Sequence, residues 1–80
     1  MTVDANTIEL TEGARRAWAV AARHRAAALR GAEIGDERCE VLADGTLRVW
    51  VPVCQRGVDF DVLLVDLPPG EWRVRRRDMN

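Results

Sequence analysis

The sequence predicts an α+β fold in which one N-terminal helix packs on a four-stranded antiparallel sheet arranged as a meander. Its length of 80 residues fits a single domain spanning residues 1–80. Residues 12–30 are rich in alanine, contain no proline and repeat apolar side chains with a helical period. After Gly31 the apolar period falls to two, which is typical of strands.

The helix has start and stop signals at both ends. Thr11 is placed to cap its N-terminus, and Gly31 is placed to end it after residue 30. Alternatively, Asn6 and Glu9 form a capping box that moves the start back to Thr7. One face of the helix is apolar and comprises Leu10, Ala14, Ala17, Trp18, Ala21, Ala28 and Leu29.

Four runs follow with strand character, at residues 38–42, 46–53, 58–66 and 71–77. The first two are joined by a hairpin whose three-residue loop ends at Gly45 in a left-handed conformation. This loop sets Val41 opposite Leu47 and Cys39 opposite Val49, which keeps apolar residues on one face. Cys54 then lies roughly 17 Å along the strand from Val49, the residue opposite Cys39, too far for a disulfide.

The turn at residues 67–70 allows two arrangements of the last two strands. As a hairpin, it places Phe60, Val62, Leu64, Trp72 and Val74 on the inner face of the meander. However, residues 65–74 have the pattern V-x-L-P-x-G-x-aromatic-x-V, which resembles a connector of immunoglobulin-like sandwiches. That resemblance implies strands in different sheets, so the alternative fold is a small β-sandwich-like arrangement with a leading helix.

Composition excludes several chemistries. The chain has 12 basic and 13 acidic residues, and every basic residue is Arg, while Lys and Ser are absent. A P-loop, a Schiff base and a serine nucleophile are therefore excluded. His24, Cys39 and Cys54 fall one ligand short of a zinc site. We expect no enzyme activity, no catalytic residues, no metal and no cofactor.

The first ten residues lack the features of a signal peptide, and no uncharged stretch approaches the roughly 20 residues that span a bilayer. A cytoplasmic protein with reduced thiols and no membrane partner is the expectation.

A patch of apolar residues is predicted on the sheet face that the helix leaves uncovered. Arg38, Arg48 and Arg73 are expected at its rim, an arrangement typical of protein interfaces. Alternatively, the sheet curls around these residues, or the first ten residues cover them. The predicted interface residues are Leu42, Trp50, Pro52, Leu63 and Val65.

Charge is unevenly distributed along the chain. Residues 8–30 carry five Arg against two Glu, while residues 31–66 carry eight acidic residues against three Arg. A basic patch that phosphates or acidic partners would bind comprises Arg15, Arg16, Arg23 and Arg30 on the helix, and Arg73, Arg75 and Arg77 on the last strand. The alternative is a solvated surface, with Asp59 and Asp61 pairing with the last strand.

The sequence therefore favours a small soluble protein-interaction module, such as an accessory, inhibitory or immunity-type protein. It would act through the apolar sheet face, either as a homodimer or against a larger partner. The alternative is a nucleic-acid-associated protein that uses the helix arginines.

Overall fold

The structure is a computed structural model and describes residues 2–75. Within this part of the chain, one α-helix and seven strands follow each other, with a 3-10 helix at Ala5–Thr7. The elements are β1 (Thr2–Val3), β2 (Ile8–Leu10), α1 (Glu12–Ala28), β3 (Glu33–Ile34), β4 (Arg38–Val41), β5 (Leu47–Gln55), β6 (Val58–Leu67) and β7 (Trp72–Val74). The α+β class, with a helix on an antiparallel sheet, is confirmed.

The predicted strands at 38–42, 46–53 and 58–66 correspond to β4, β5 and β6, with ends shifted by one or two residues. The sequence did not predict β1, β2 and β3. Each is only two or three residues long, and so short a segment cannot show an alternating pattern.

β5 is the central strand of a five-stranded antiparallel sheet. β6 pairs with one edge of β5 over its whole length. The other edge is shared, because β4 pairs with residues 47–50 and β3 with residues 53–54. β1 extends the sheet beyond β4. The three consecutive strands β4, β5 and β6 thus form three of the four strands of the predicted meander.

The hairpin between β4 and β5 has the predicted register. Val41 lies opposite Leu47, and Cys39 lies opposite Val49. Gly45 has a φ of 89°, a left-handed conformation that glycine adopts at little cost. Apolar residues of both strands therefore share the face that the helix covers.

β6 contains a β-bulge that the sequence analysis missed. Val49 lies opposite Val65, but Trp50 lies opposite Leu63, so Leu64 is an extra residue. A bulge reverses the alternation of side chains, which places Leu63 and Val65 on opposite faces. The prediction that Val65 points away from the helix is therefore wrong, and Val65 packs against the core.

The last described strand, β7, pairs with β2 and not with β6. Ile8 lies opposite Val74, and Leu10 lies opposite Trp72, in a separate two-stranded sheet. As the immunoglobulin-like resemblance implied, the strands that flank the turn at 67–70 belong to different sheets. Two consecutive prolines fix φ and offer no N–H group, which favours the exit of the chain from the larger sheet.

α1 begins where the sequence predicts and ends two residues earlier. The Thr11 hydroxyl accepts a hydrogen bond from the Ala14 N–H at 3.1 Å, which caps the helix. Leu29 is the C-terminal cap, and Gly31 follows with a φ of 88°. The alternative start near Thr7 is excluded, because β2 occupies residues 8–10.

The core lies between α1 and the sheet, and Trp18 and Trp72 pack against it from its edge. It consists of Ala14, Cys39, Leu47, Val49, Val51, Val53, Leu64 and Leu67. Alternate residues of β5 contribute half of this core, so the other half of its side chains point the opposite way. We call the sheet face turned away from α1 the outer face.

Candidate protein interface on the outer face

Trp50 lies at the centre of the outer face. Cross-strand partners share a sheet face, and Trp50 lies between Arg38 on β4 and Leu63 on β6. Pro52 follows on the same face, two residues along β5. Trp50, Pro52 and Leu63 are half-buried, and none belongs to the core cluster. The structure thus brings together three of the predicted interface residues.

Leu42 and Val65, the other two predicted interface residues, differ in position. Leu42 lies just beyond the end of β4, half-buried and outside the core cluster. Its N–H donates a hydrogen bond to the Thr46 carbonyl at 2.8 Å, so it stands at the hairpin end of the sheet. Val65 lies on the inner face, as the bulge requires.

An ion pair between β5 and β6 flanks Trp50 on one side. Arg48 donates two hydrogen bonds to Asp66, from Nε at 2.8 Å and from a terminal nitrogen at 2.9 Å. The Arg48 guanidinium also lies 5.8 Å from the centroid of the Trp50 ring, within the range of a cation–π contact. The two hydrogen bonds to Asp66 and the cation–π contact therefore hold Arg48 beside the indole.

A second ion pair lies on the other side of Trp50. Arg38 on β4 pairs with Asp61 on β6 and so spans the width of β5. Both side chains are about half exposed, at 54% and 52%. Trp50 is thus framed by two arginine–aspartate pairs, an apolar centre inside a polar rim.

The ion pair between Arg48 and Asp66 changes the pKa of both side chains. Hydrogen bonding to Arg48 lowers the pKa of the Asp66 carboxyl below its ordinary value. The same hydrogen bonding raises the pKa of the Arg48 guanidinium. Both groups therefore stay charged at neutral pH.

The outer face carries a surplus of negative charge. Cross-strand register places five carboxylates there, against the two guanidinium groups of Arg38 and Arg48. The carboxylates are Glu33, Glu40, Asp59, Asp61 and Asp66. A partner with basic groups around an apolar centre would complement this face.

Two free thiols differ in their surroundings. Cys39 is 1% exposed in the core, and burial raises the pKa of its thiol. Cys54 is half-buried on the outer face, where a hydrogen bond with Asp59 is the main cause of its raised pKa. The two cysteines thus lie on opposite faces of the sheet and are not joined by a disulfide, as the hairpin register predicts.

The helix arginines form an exposed ridge on the opposite side of the molecule. Arg15, Arg16, Arg23 and Arg30 are all exposed. Arg16 pairs with Glu12 at 2.9 Å, an exposed pair one helical turn apart that contributes little stability. The basic ridge and the acidic outer face therefore point in opposite directions.

The arginines of the last strand have a different acidic partner from the one expected. Arg73 and Arg75 both pair with Glu9 of β2, at 2.8 Å and 3.4 Å, and they lower the pKa of Glu9. Asp59 and Asp61 belong to the outer face of the larger sheet, so the expected pairing is wrong for Arg73 and Arg75, and Arg73 lies away from the rim of Trp50. Arg77 lies outside the described residues.

Sequence reasoning missed the bulge in β6 although one signal was present. Asp61 and Asp66 both lie on the outer face but are five residues apart. Strict alternation puts residues with an odd separation on opposite faces. Two outward carboxylates at this spacing indicate an extra residue between them.

Within residues 2–75, no group of three His, Cys, Asp or Glu side chains is placed to hold a metal ion. None of the described helices has the length and apolar character needed to cross a membrane. Comparison with known protein families, curated proteins and solved structures finds no match to this chain.

Proposed function

We propose that this protein is a small protein-interaction module that docks a partner protein on its outer face. The observation that carries the proposal is the position of Trp50 between two arginine–aspartate pairs, away from the core. Tryptophan and arginine are enriched among the residues that contribute most to protein binding. An apolar centre with a polar rim is typical of such interfaces.

Charge indicates which kind of protein would bind. Five carboxylates against two arginines make the outer face acidic. A second copy docked face to face would bring two acidic surfaces together, and nucleic acid would be repelled in the same way. The partner we propose is a different protein, with Lys or Arg side chains around an apolar residue.

In this role the chain acts by occupying a surface of its partner and performs no chemistry of its own. Accessory, inhibitory and immunity-type proteins work in this way. The ion pairs around Trp50 hold the rim in place before binding, which reduces the side-chain entropy lost on association.

Selection of peptides tests the proposal without knowledge of the natural partner. A random peptide library is selected on the immobilised protein and counter-selected on Trp50→Asp, with Val74→Asp as the control. Val74 is 49% exposed on β7, outside the proposed interface. We expect peptides with a surplus of Lys and Arg around an apolar residue, which bind the control variant like the original protein.

Two results would overturn the proposal. Selected peptides that bind Trp50→Asp as tightly as the original protein, with circular dichroism showing that the variant is folded, would place binding elsewhere. Enrichment of acidic peptides would contradict the charge argument. If Trp50→Asp does not fold, Leu63→Asp and Pro52→Ala serve in its place.

Nucleic-acid binding by the helix ridge is a second candidate function, favoured by one specific observation. The ridge arginines are exposed and point away from the acidic outer face. A phosphate backbone could thus approach them without meeting that face. Binding of this kind weakens more steeply as salt increases than docking on an apolar centre does.

A further inference from the structure

β6 has a long edge without a strand partner. It pairs with β5 on one side over ten residues, and no strand within residues 2–75 pairs with its other side. Arg56 and Gly57 have φ values of 53° and 78°, as in the tight turns that close a hairpin on a hydrogen-bonded pair. Because peptide groups alternate in direction along an antiparallel ladder, those of Asp59, Asp61 and Leu63 point to the open edge.

Exposed apolar side chains cluster along this edge. The described residues include five large apolar side chains that are exposed. Val58 and Phe60 belong to β6, at 60% and 38% exposure, and Val20 lies on α1 at 41%. Open strand edges with apolar side chains tend to pair with another chain.

A groove runs between α1 and β6 beside the same edge. It has a volume of about 690 Å³, and it is lined by Leu64 of β6 and by seven residues of α1, among them Ala17, Val20, Ala21 and Ala28. Three of the seven helix residues that line it are alanine, so another helix could approach α1 closely at those positions. Leu64 is the residue through which β6 borders this groove.

We infer that two copies of this chain join through their β6 strands into a continuous antiparallel sheet. The two strands pair about a two-fold axis at Val62. Asp61 then lies opposite Leu63 of the other copy, and Phe60 lies opposite Leu64 of the other copy. An interface with this symmetry uses the same residues of both copies.

Charge and side-chain direction select this register. An axis at Asp61 would place two carboxylates opposite each other, and an axis at Phe60 would set Asp59 against Asp61. An axis at Leu63 would pair Asp61 with Val65, which the bulge turns to the other face. The axis at Val62 keeps carboxylates from lying directly opposite each other, and it matches the faces of residues 60–64. The paired segment ends there, before Asp59 would meet Val65 beyond the bulge.

Phe60 is the side chain that would contact the groove of a second copy. In the paired register its ring lies beside Leu64 of the other copy, which lines the groove. The two α1 helices lie on the same side of the joined sheet, with Val20 and Ala17 facing the neighbouring copy. Burial of Phe60 and Val20 in each copy contributes to association through the hydrophobic effect.

This dimer goes beyond the proposed function and does not depend on it. Both outer faces lie on the same side of the joined sheet, and both Trp50 side chains stay accessible. A module with two parallel docking faces could bind a repeated motif with increased avidity. A failure of the peptide selection would count against docking on the outer face and not against the dimer. The absence of a dimer would likewise not count against docking on the outer face.

Sedimentation equilibrium of the full chain tests the dimer. Val20→Glu and Phe60→Asp should each weaken it about 30-fold or more, the loss expected for a central interface residue. Ala26→Glu and Val74→Asp are matched controls, because Ala26 is exposed on α1 outside the groove and Val74 is exposed in the separate two-stranded sheet. Circular dichroism verifies that each variant is folded.

Nuclear magnetic resonance of a mixed sample tests the register. Phe60 and Leu64 of one copy lie about 13 Å apart along an extended strand, too far for a nuclear Overhauser effect. A cross-peak between a labelled and an unlabelled copy is therefore expected only from the dimer. A monomer at all concentrations, a dimer that Val20→Glu and Phe60→Asp leave intact, or a dimer without this cross-peak would overturn the inference.

Discussion

Arg48 and Asp66 form the best-defined ion pair on the outer face, with hydrogen bonds of 2.8 Å and 2.9 Å between neighbouring strands. Trp50 lies beside them, 5.8 Å from the guanidinium. The pair thus links the charge of this face to the position of its aromatic centre. We expect a substitution of Asp66 to change both the stability of the fold and the position of the Trp50 indole.

Asp66→Asn should lower stability near neutral pH and flatten its dependence on pH. The carboxyl pKa is lowered in the folded state, so its stabilisation is present above the unfolded pKa and lost as pH falls through the folded pKa. Urea denaturation at neutral and at acidic pH measures this difference. Glu12→Gln, which removes a more exposed pair, should change little. An equal loss for Asp66→Asn at both pH values would contradict the account.

Gly45→Ala should destabilise the hairpin by about 1–2 kcal/mol, the usual cost of a left-handed conformation for a residue with a Cβ. Gly45 has a φ of 89°, and a Cβ there would lie 3.1 Å from Cγ of Pro69. Gly13→Ala is the control, because a Cβ at this helical position meets nothing within 4 Å. It should stabilise the protein by about 0.5–1 kcal/mol. Thermal denaturation measures both changes in stability, and we expect them to have opposite signs.

Asp59→Asn should increase the reactivity of Cys54 toward iodoacetamide at mildly alkaline pH. Asp59 raises the thiol pKa chiefly by its hydrogen bond with the thiol, and its charge raises it further. Asparagine removes the carboxylate and offers an amide N–H that can donate to the thiolate, so the thiolate fraction increases. Cys39 is buried and serves as an internal control that should react only on unfolding. Mass spectrometry follows both sites. An unchanged rate at Cys54 would show that Asp59 does not control this thiol.

Arg16, Arg23 and Arg30 can be changed together to Gln to test the helix ridge. We expect nearly unchanged stability, because exposed charge pairs contribute about 0–1 kcal/mol. Peptide binding on the outer face should also be retained. Salt-sensitive retention of RNA or DNA by the original protein, lost in this triple variant, would instead favour the nucleic-acid function.

Local signals in the sequence predict much of this fold. Thr11 marks the start of the helix and Gly31 lies three residues beyond its end, because capping and left-handed conformations each favour few residue types. Gly45 fixes the hairpin register in the same way, and that register places Trp50 on the outer face. Features that depend on neighbouring residues can therefore be predicted from the amino-acid sequence.

Features that depend on distant partners cannot be predicted in this way. β7 pairs with β2 across more than sixty residues of chain, and nothing local in Trp72–Val74 indicates which strand it joins. The bulge at Leu64 changes the face of Val65 although both residues are aliphatic, so polarity alone cannot locate it. The open edge of β6 is a consequence of these strand pairings, so it could not be predicted from the sequence either.

The indole signals of the three tryptophans show directly whether the outer face is the docking site. A selected basic peptide is titrated into labelled protein, and the Nε1–H resonances of Trp18, Trp50 and Trp72 are followed. Trp18 and Trp72 pack against the core, and Trp72 donates its indole N–H to the Gly45 carbonyl at 3.0 Å. We expect the Trp50 signal to shift in proportion to bound peptide while the signals of Trp18 and Trp72 remain in place. A shift of Trp18 or Trp72 with Trp50 unchanged would contradict it.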